Sequence, residues 1–190
     1  MGKKEDIFSA AHALFSAHGF KPVGISDISK AAGISVGSFY NYYASKEAVF
    51  LEVYAAENQK VKQDITGALD TSLSPIDIVQ QFFRVSMDTT KHNRILAEWY
   101  GEHMGEQIRA HFRSGASASS LRAFTTGMID TWRAQRVLRD DISSEDILAI
   151  YDALAYLDIH ANRAESVDFS RSIVLLAKFT AMGIICEKEC

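Results

Sequence analysis

The sequence predicts an all-α protein, in which an N-terminal three-helix domain containing a helix-turn-helix is followed by a C-terminal helical domain. Along most of the 190 residues, apolar side chains recur at intervals of three and four, which is the spacing of one helix face. Alternation of β-branched residues, which would indicate strands, is scarce, and the chain contains two prolines, Pro22 and Pro75. A chain of this length can bury a substantial core in one compact domain or in two small ones.

The first helix is expected over residues 3–18, where a single apolar stripe ends at Gly19. The stripe contains Ile7, Ala10, Ala11, Leu14 and Phe15. Phe20 is expected to close the small core of this N-terminal domain, for which we predict the range 1–46.

A helix-turn-helix is predicted between about residues 24 and 43. Its first helix has three apolar residues on one face, namely Ile25, Ile28 and Ala32. Gly33 can end that helix by adopting a positive φ, and Ser35 can cap the next one. The second helix is predicted over residues 36–43, which are rich in aromatic and small polar side chains.

The aromatic side chains of this second helix have two interpretations. They could all form the core of the three-helix domain, and the i, i+4 spacing favours that interpretation for Phe39 and Tyr43. The same spacing does not explain Tyr40 and Tyr42, which are expected to contact a partner. The second helix of a helix-turn-helix lies in the DNA major groove, so we predict that these residues contact double-stranded DNA.

The predicted DNA contacts fall into two groups. Candidates for contacts with base edges are Ser38, Tyr40 and Asn41. Candidates for contacts with phosphates are Ser35, Tyr42 and Lys46. The complete predicted DNA-binding set is Ser26, Ser35, Val36, Gly37, Ser38, Tyr40, Asn41, Tyr42 and Lys46.

The distribution of charge is compatible with DNA binding. The net charge of the chain is −4, but residues 1–46 hold five lysines and three acidic residues, a net charge of +2, and the remaining residues carry −6. A basic N-terminal domain joined to an acidic remainder orients a protein on DNA. A difference of this size also arises by chance, so the prediction rests on the motif rather than on the charge.

Residues from about 7 to 49 resemble the DNA-binding domain of the TetR family of bacterial transcriptional regulators. The matching residues are Ala10, Ala11, Leu14, Phe15, Gly19, Phe20, the runs 28–35 and 37–43, and Ser45, Lys46 and Glu47. The resemblance implies a helical ligand-binding and dimerisation domain in the rest of the chain. Beyond residue 49 the sequence carries no further signature of the family.

Two positions depart from the family pattern. The family commonly has Thr at the position of Gly24, where it caps the helix and contacts a phosphate, and glycine offers no such side-chain contact. We expect Ser26 or Ser29 to supply part of the missing helix cap and phosphate contact. The position of Val36 is often basic in the family, so we expect fewer charged base contacts in this protein.

Ser45 can cap a long helix that extends to about Leu69 and enters the predicted ligand-binding and dimerisation domain, residues 47–190. Pro75 is predicted at the first position of the next helix, which Asn93 ends. The remaining predicted helices cover about 94–112, 121–135, 144–162 and 168–187, and residues 114–120 are predicted to be a loop or a loosely wound helix start.

The last predicted helix is apolar nearly all round, and such a helix must be covered on every side. A second subunit supplies this cover if the last two helices of each chain form a four-helix interface. The alternative is a central helix that is buried within one chain. The predicted interface residues are Ile147, Tyr151, Leu154, Ile173, Leu176 and Phe179.

Large side chains with polar tips in the C-terminal domain predict a cavity for a small-molecule inducer, because pockets in helical bundles are apolar with a few polar groups. The predicted lining residues are Phe83, Met87, Trp99, His103, Met128 and Trp132. Ordinary core packing is the alternative interpretation for each of them. Glu98 or Asp88 facing the cavity would favour a cationic ligand, and their absence from it an anionic or neutral one.

The sequence contains no metal, nucleotide or hydrolase motif, so no cofactor, metal or enzymatic activity is expected. There is no apolar run long enough for a membrane span, and the polar N-terminus is unlike a secretory signal, so a cytoplasmic location is expected. We therefore predict a homodimeric transcriptional regulator, a repressor released from a near-palindromic operator by an inducer. The alternatives are a helical enzyme or small-molecule carrier that uses the N-terminal domain as a scaffold, and a DNA-binding protein without an inducer.

Overall fold

The computed structural model describes residues 2–113, 119–160 and 169–186, and within these ranges the regular elements are helices. The α-helices are α1 (Lys3–His18), α2 (Ile25–Ala31), α3 (Val36–Phe39), α4 (Lys46–Ala68), α5 (Pro75–His92), α6 (Gly105–Arg113), α7 (Ser119–Ala134), α8 (Ser144–His160) and α9 (Phe169–Ile184). A 3₁₀ helix, η1 (Leu96–Tyr100), precedes α6. The prediction of an all-α fold is confirmed.

Several predicted helix ends are confirmed by the hydrogen bonds that form them. The Ser45 hydroxyl oxygen accepts the backbone N–H of Ala48 (3.1 Å) and caps α4. Pro75 is the first residue of α5, and the hydroxyl oxygen of the preceding Ser74 accepts the N–H of Asp77 (3.3 Å). α5 ends at His92 as predicted. For residues 114–120 the prediction is a loop or a loosely wound helix start. Residues 114–118 lie outside the described residues, and the other two begin α7.

The predicted continuous helix over residues 94–112 is wrong. The Asn93 side-chain oxygen accepts the N–H groups of Ile95 (3.0 Å) and Leu96 (3.1 Å), which starts a separate 3₁₀ turn. The backbone is then extended at Gly101, and α6 begins at Gly105. Polar and apolar residues alternate with helical spacing through this segment, and that spacing does not reveal the break.

The recognition helix is also shorter than predicted, since α3 covers residues 36–39 instead of 36–43. Beyond Phe39 the chain continues as a turn, in which the N–H groups of Tyr42 (2.9 Å) and Tyr43 (3.1 Å) both point to the Phe39 carbonyl oxygen. Bonds of the i→i+3 type commonly tighten the last turn of a helix. We call residues 35–45 the recognition segment.

Two compact units are present, and we describe each one separately. The first unit consists of Met1–Val61 and Met87–Ala116, and the second consists of Lys62–Ser86 and Ser117–Cys190. The chain passes from one unit to the other within α4 and within α5. The division by packing therefore differs from the predicted boundary at residue 46.

The core of the first unit is built around aromatic side chains from the ends of α1 and α4. Phe50 lies edge-on to Phe15 (5.0 Å between ring centroids) and to Phe20 (4.9 Å). Phe39 and Tyr43 are buried in the same cluster, so the prediction that these two residues belong to the core is confirmed.

The second unit has its own apolar cluster, formed mainly by α5, α7, α8 and α9. Its buried members are Leu69, Ile78, Val79, Met128, Ile129, Trp132, Leu138, Ile147, Leu154, Ala177, Ala181 and Ile184. None of the described helices has the length and apolar character that a membrane span requires.

Candidate nucleic-acid interface and the helical second unit

Helix α2 begins without a capping side chain on its N-cap residue. Gly24 is the N-cap residue, and its backbone N–H donates to the Asp27 carboxylate at 2.8 Å. Ser26 is exposed, and the Ser29 side chain is buried in the core. The expectation that Ser26 or Ser29 replaces the missing threonine is therefore wrong for the helix cap, since the side-chain bond at this helix end comes from Asp27, which accepts the N–H of Gly24 and not the first-turn N–H that a capping threonine would accept. A phosphate contact by the exposed Ser26 stays a prediction.

The turn between α2 and α3 forms as the sequence predicts. Gly33 has a φ of 67°, the left-handed conformation that favours glycine. The Ser35 hydroxyl oxygen accepts the N–H of Ser38 (3.1 Å), and the two hydroxyl groups lie 2.9 Å apart. Because these hydroxyl groups are hydrogen-bonded to each other, they are held at the start of α3. Their predicted contacts with DNA stay predictions.

The recognition segment has one buried side and one exposed side. Phe39 and Tyr43 anchor it in the core, and burial, followed by the neighbouring Glu52 carboxylate, raises the pKa of Tyr43. The side chains of Val36, Tyr40 and Tyr42 are 43%, 55% and 41% exposed, and Gly37 and Asn41 are also exposed. This exposed side can lie against another molecule without any change in the core.

Gly37 has no structural requirement for glycine within the protein. A Cβ at this position would meet only the Ser35 hydroxyl oxygen at 3.9 Å, an ordinary contact distance. Its φ is not positive, in contrast to Gly19 and Gly33. The absence of a side chain on the exposed side of α3 leaves room for the backbone to approach a partner.

Lys46, the first residue of α4, is used inside the protein. Its Nζ donates to the carbonyl oxygens of Phe20 (3.1 Å) and Val23 (2.9 Å) and lies 4.0 Å from the centroid of the Phe20 ring. Lys46 therefore ties the segment between α1 and α2 to the start of α4. This internal role of Lys46 differs from the predicted phosphate contact. The two bonds use two of the three ammonium protons, and a phosphate contact through the third stays a prediction.

Other lysines on the first unit face solvent. Lys4 forms an exposed ion pair with Glu52 (3.0 Å), and the side chains of Lys21 and Lys30 are exposed. Lys30 lies on α2, next in sequence to the turn that leads into the recognition segment. Lys21 and Lys30 are additional candidates for phosphate contacts, which the motif alone did not select.

A half-buried polar cluster in the first unit was not predicted. One Glu57 carboxylate oxygen lies 2.8 Å from His12 Nε2, and the other accepts the Asn93 amide at 2.6 Å. Burial raises the pKa of Glu57, but the hydrogen bonds from His12 and Asn93 and the charge of His12 outweigh it, so the pKa is lowered overall. The cluster joins α1, α4 and the break after α5, and Arg94 adds a bond to the Ala17 carbonyl oxygen.

The six predicted ligand-binding residues are not brought together in one cluster. Met128 and Trp132 are buried in the second unit, where Phe83 packs against the same cluster. Trp99 packs in the first unit, with its ring 5.9 Å from that of Phe112, and His103 is exposed. The side chain of Met87 lies outside the described part of the structure. Phe83, Met128 and Trp132 are the predicted members that share one cluster, and the ligand-binding role of the set stays a prediction.

Tyr151 offers a polar group within the second unit. Its hydroxyl is buried and has no hydrogen-bond partner among the described residues, and burial raises its pKa to about 12. A buried hydroxyl without a partner is costly, so a bound molecule that accepts or donates a hydrogen bond there would be favoured.

The predicted dimer residues separate into inner and outer faces. Ile147, Leu154 and Ile173 are buried within the chain, so the prediction that they form a subunit interface is corrected, and Tyr151 is half-buried. Leu176 and Phe179 are 45% and 62% exposed on α9. Four further exposed side chains, which lie outside the predicted interface set, are Tyr156, Leu157, Leu175 and Met182.

The recognition segment and its supporting helices match a known domain. Residues 7–53 match the family described as bacterial regulatory proteins, tetR family. This range includes α2, α3 and most of α1, and it confirms the resemblance stated for residues 7 to 49.

Curated relatives are similar over part of their length. The transcriptional regulator AcuR of Cereibacter sphaeroides is 26% identical over 137 residues, which cover 70% of this chain and 60% of AcuR. The HTH-type transcriptional repressor KstR2 of Mycolicibacterium smegmatis is 28% identical over 90 residues, which cover 47% of this chain and 44% of KstR2. The chain thus spans 44% to 60% of the length of these curated relatives.

A solved structure is similar over nearly the whole chain. It is the crystal structure of Thermus thermophilus FadR, a TetR family transcriptional repressor, in complex with lauroyl-CoA. The TM-score is 0.57 and the sequence identity is 25%, with 98% of this chain and 97% of FadR covered. The domain match, the named relatives and this likeness together show that residues 7–53 carry the N-terminal domain of the tetR family and that the chain resembles TetR family transcriptional regulators over nearly its whole length.

Proposed function

We propose that this protein is a sequence-specific DNA-binding transcriptional regulator that acts as a homodimeric repressor and is released from its operator by a small molecule. The observation that supports DNA binding most directly is the recognition segment, whose buried residues fix its position and whose exposed residues face outward. The relatives that the chain resembles are named as transcriptional regulators, and none of those described above is named as an enzyme.

The exposed side of the recognition segment supplies the base contacts in this proposal. Asn41 and Tyr40 can form hydrogen bonds with base edges, and Val36 supplies an apolar surface. Tyr42 and the exposed lysines Lys21 and Lys30 then contact phosphates and set the orientation on the duplex. Ser35 and Ser38 contribute by holding the start of α3, and their hydroxyl groups can also accept or donate toward DNA.

The exposed apolar face of α8 and α9 supports dimerisation. Its members are Tyr156, Leu157, Leu175, Leu176, Phe179 and Met182. A cluster of this kind on a protein surface indicates an interface, and a second copy with the same face forms a two-fold symmetric one. Two recognition segments related by a two-fold axis contact half-sites about one helical turn apart, so the operator is a near-palindrome.

The second unit is the proposed ligand-binding region. FadR of Thermus thermophilus has been crystallised with lauroyl-CoA, and the apolar cluster with Phe83, Met128 and Trp132 provides an environment for an apolar ligand group here. Because the chain crosses between the units within α4 and α5, a change in either helix can reach the first unit. A coupling free energy of about 1–3 kcal/mol would be enough to alter operator binding several-fold.

Selection of bound sequences from random DNA tests the proposed function. Purified full-length protein is incubated with a random duplex library at one near-physiological salt concentration, and bound DNA is amplified and sequenced. A two-fold symmetric motif is the expected result. Folded dimeric protein that enriches no motif would contradict the proposal and favour the alternative of a helical ligand-binding protein or enzyme.

Titration of the intrinsic fluorescence with candidate ligands tests the proposed ligand region. A Trp99→Phe variant isolates the emission of Trp132, and a ligand that lowers operator affinity is expected to change this emission. If the ligand releases the operator and leaves Trp132 emission unchanged at saturation, the ligand binds elsewhere.

A further inference from the structure

The exposed apolar side chains of the first unit are concentrated in one place. Among the described residues of that unit, the large hydrophobic side chains that are exposed are Val36, Tyr40 and Tyr42. The remaining ones in the described part of the chain belong to the second unit. Three such side chains within seven residues indicate a surface that becomes covered when a partner binds.

Val36 differs from the two tyrosines because its side chain has no polar atom. It is the first residue of α3 and is 43% exposed. It can therefore gain only from an apolar group on the partner. In the major groove of DNA, the apolar group on a base edge is the C5-methyl group of thymine, whereas the other positions present hydrogen-bonding groups.

The absence of basic side chains from the recognition segment also favours contact with an A·T base pair. Residues 35–45 contain neither lysine nor arginine, the residues that most often read guanine through its O6 and N7 atoms. Asn41 is exposed, and its carboxamide carries both a donor and an acceptor. Asparagine pairs with the N6 and N7 atoms of adenine, so the segment carries the usual readers of adenine and thymine.

We propose that the recognition segment selects A·T base pairs and that the Val36 side chain packs on the C5-methyl group of one thymine in each half-site. This inference rests on the proposed function, since it requires specific DNA binding. The valine side chain is short, so its contact requires a close approach of the α3 backbone to the groove. Gly37, at which an added Cβ would make a single ordinary contact within the protein, permits that approach.

Removal of single methyl groups from the operator tests the inference. In the selected operator, each thymine is replaced in turn by deoxyuridine, which lacks the methyl group and keeps the hydrogen-bonding edge. At one symmetric position the wild-type protein is expected to lose about fourfold in affinity per half-site, the value of one buried methyl group. The Val36→Ala variant should not respond at that position, and Val36→Thr, which retains a γ-methyl group, should keep part of the response.

The outcomes separate this inference from the proposed function. Wild-type affinity that is equal for every substituted operator would overturn the inference and leave specific DNA binding intact, as would a methyl dependence that persists in Val36→Ala. An enriched motif without A·T pairs in the half-site would overturn it as well. Failure to enrich any motif removes the proposed function itself. Circular dichroism and urea unfolding, both expected to be unchanged, show that Val36→Ala is folded.

Discussion

At the scale of single residues, the fold does not require a glycine at position 37, and the proposed contact with DNA gives a reason for it. Nothing in the protein occupies the space of its missing Cβ, and its φ is one that any residue adopts. Glycine in a helix costs about 0.5–1 kcal/mol relative to alanine, so stability alone would favour alanine at this position. The close approach of a DNA backbone or base edge supplies a reason for glycine.

Replacing Gly37 by alanine is expected to increase the free energy of unfolding by up to about 0.5–1 kcal/mol and to weaken operator binding. The free energy is measured by urea unfolding, and affinity by fluorescence anisotropy at one salt concentration. Gly127→Ala is the matched control, because Gly127 is exposed on α7 and has nothing within 4 Å of an added Cβ, whereas Gly37 has one ordinary contact at 3.9 Å. The control should be stabilised without a loss of affinity. Full operator affinity in Gly37→Ala would contradict the proposed contact surface.

Lys46 provides a second prediction, since its two possible roles have different signatures. Lys46→Met removes the two hydrogen bonds to backbone carbonyl oxygens and should lower the free energy of unfolding by about 1–3 kcal/mol. The salt dependence of operator binding should stay unchanged. Lys30→Met, on an exposed position of α2, should alter stability by less than about 0.5 kcal/mol. A stable Lys46→Met protein with a salt slope reduced by about one would instead assign Lys46 to a phosphate.

The roles of residues that act on their own backbone could be predicted from the sequence, whereas the hydrogen-bond partners of long side chains could not. Gly33 and Ser35 act on their own backbone and its immediate neighbours, so spacing was sufficient to predict their turn and cap. The Lys46 ammonium reaches carbonyl groups 23 and 26 residues away in sequence. No local pattern specifies which of several distant acceptors such a flexible side chain will reach.

At the scale of helices, periodicity predicted where helices exist better than where they end. The recognition helix ends after Phe39, although Phe39 and Tyr43 keep the i, i+4 spacing of a helix. Tyr43 is buried in the core from a turn, so the spacing of buried residues does not reveal where the helix ends. The break after α5 depends on the Asn93 side chain, which bonds forward to the start of η1 and across to Glu57. The second of these bonds joins positions 36 residues apart.

The Glu57 cluster predicts how stability depends on pH. The lowered pKa means that the folded state binds the carboxyl proton less tightly than the unfolded chain does. The ionised Glu57 carboxylate therefore makes its full contribution to the free energy of unfolding above the ordinary carboxyl pKa of 4.5. This contribution is lost as the pH falls through the lower pKa of Glu57 in the folded state.

Glu57→Gln is expected to lower the free energy of unfolding by about 1–2 kcal/mol at pH 7, because hydrogen bonds to a charged acceptor are stronger than those to a neutral one. The difference from wild type should shrink as the pH is lowered below about 4.5. Urea unfolding across this pH range measures both quantities. Glu52→Gln, which disrupts an exposed ion pair, should change stability by less than about 1 kcal/mol. A Glu57→Gln difference that is independent of pH would exclude the carboxylate as its origin.

At the scale of the whole molecule, the proposed dimer depends on the outer face of α8 and α9. The sequence predicted that these helices form the interface, but it placed inner and outer residues in one set. Ile173, Ala177, Ala181 and Ile184 follow helical spacing and are buried, while Leu175, Leu176, Phe179 and Met182 are exposed. A helix that is apolar nearly all round gives no sign of which side its own chain covers, so this distinction required the structure.

Phe179→Glu and Leu176→Glu, singly and together, are expected to convert dimers to monomers that keep their helical content. A charge placed in an apolar interface loses its hydration, which disfavours association. Sedimentation velocity measures the mass, and Leu73→Glu is the matched control, an exposed apolar position outside α8 and α9 that should stay dimeric. Ile173→Glu should instead unfold the chain, since Ile173 is buried. A double variant that remains dimeric would place the interface elsewhere.

The ratio of affinities for the selected operator and for a scrambled duplex of the same length is the most direct test of specific DNA binding. Both are measured by fluorescence anisotropy with the full-length protein at one near-physiological salt concentration. We expect the operator to bind at least about a thousandfold more tightly, the lower range for specific DNA-binding proteins, and Phe179→Glu to lose most of this advantage. Equal affinity for the two duplexes would contradict the proposed function, because only the electrostatic attraction common to all DNA would then remain.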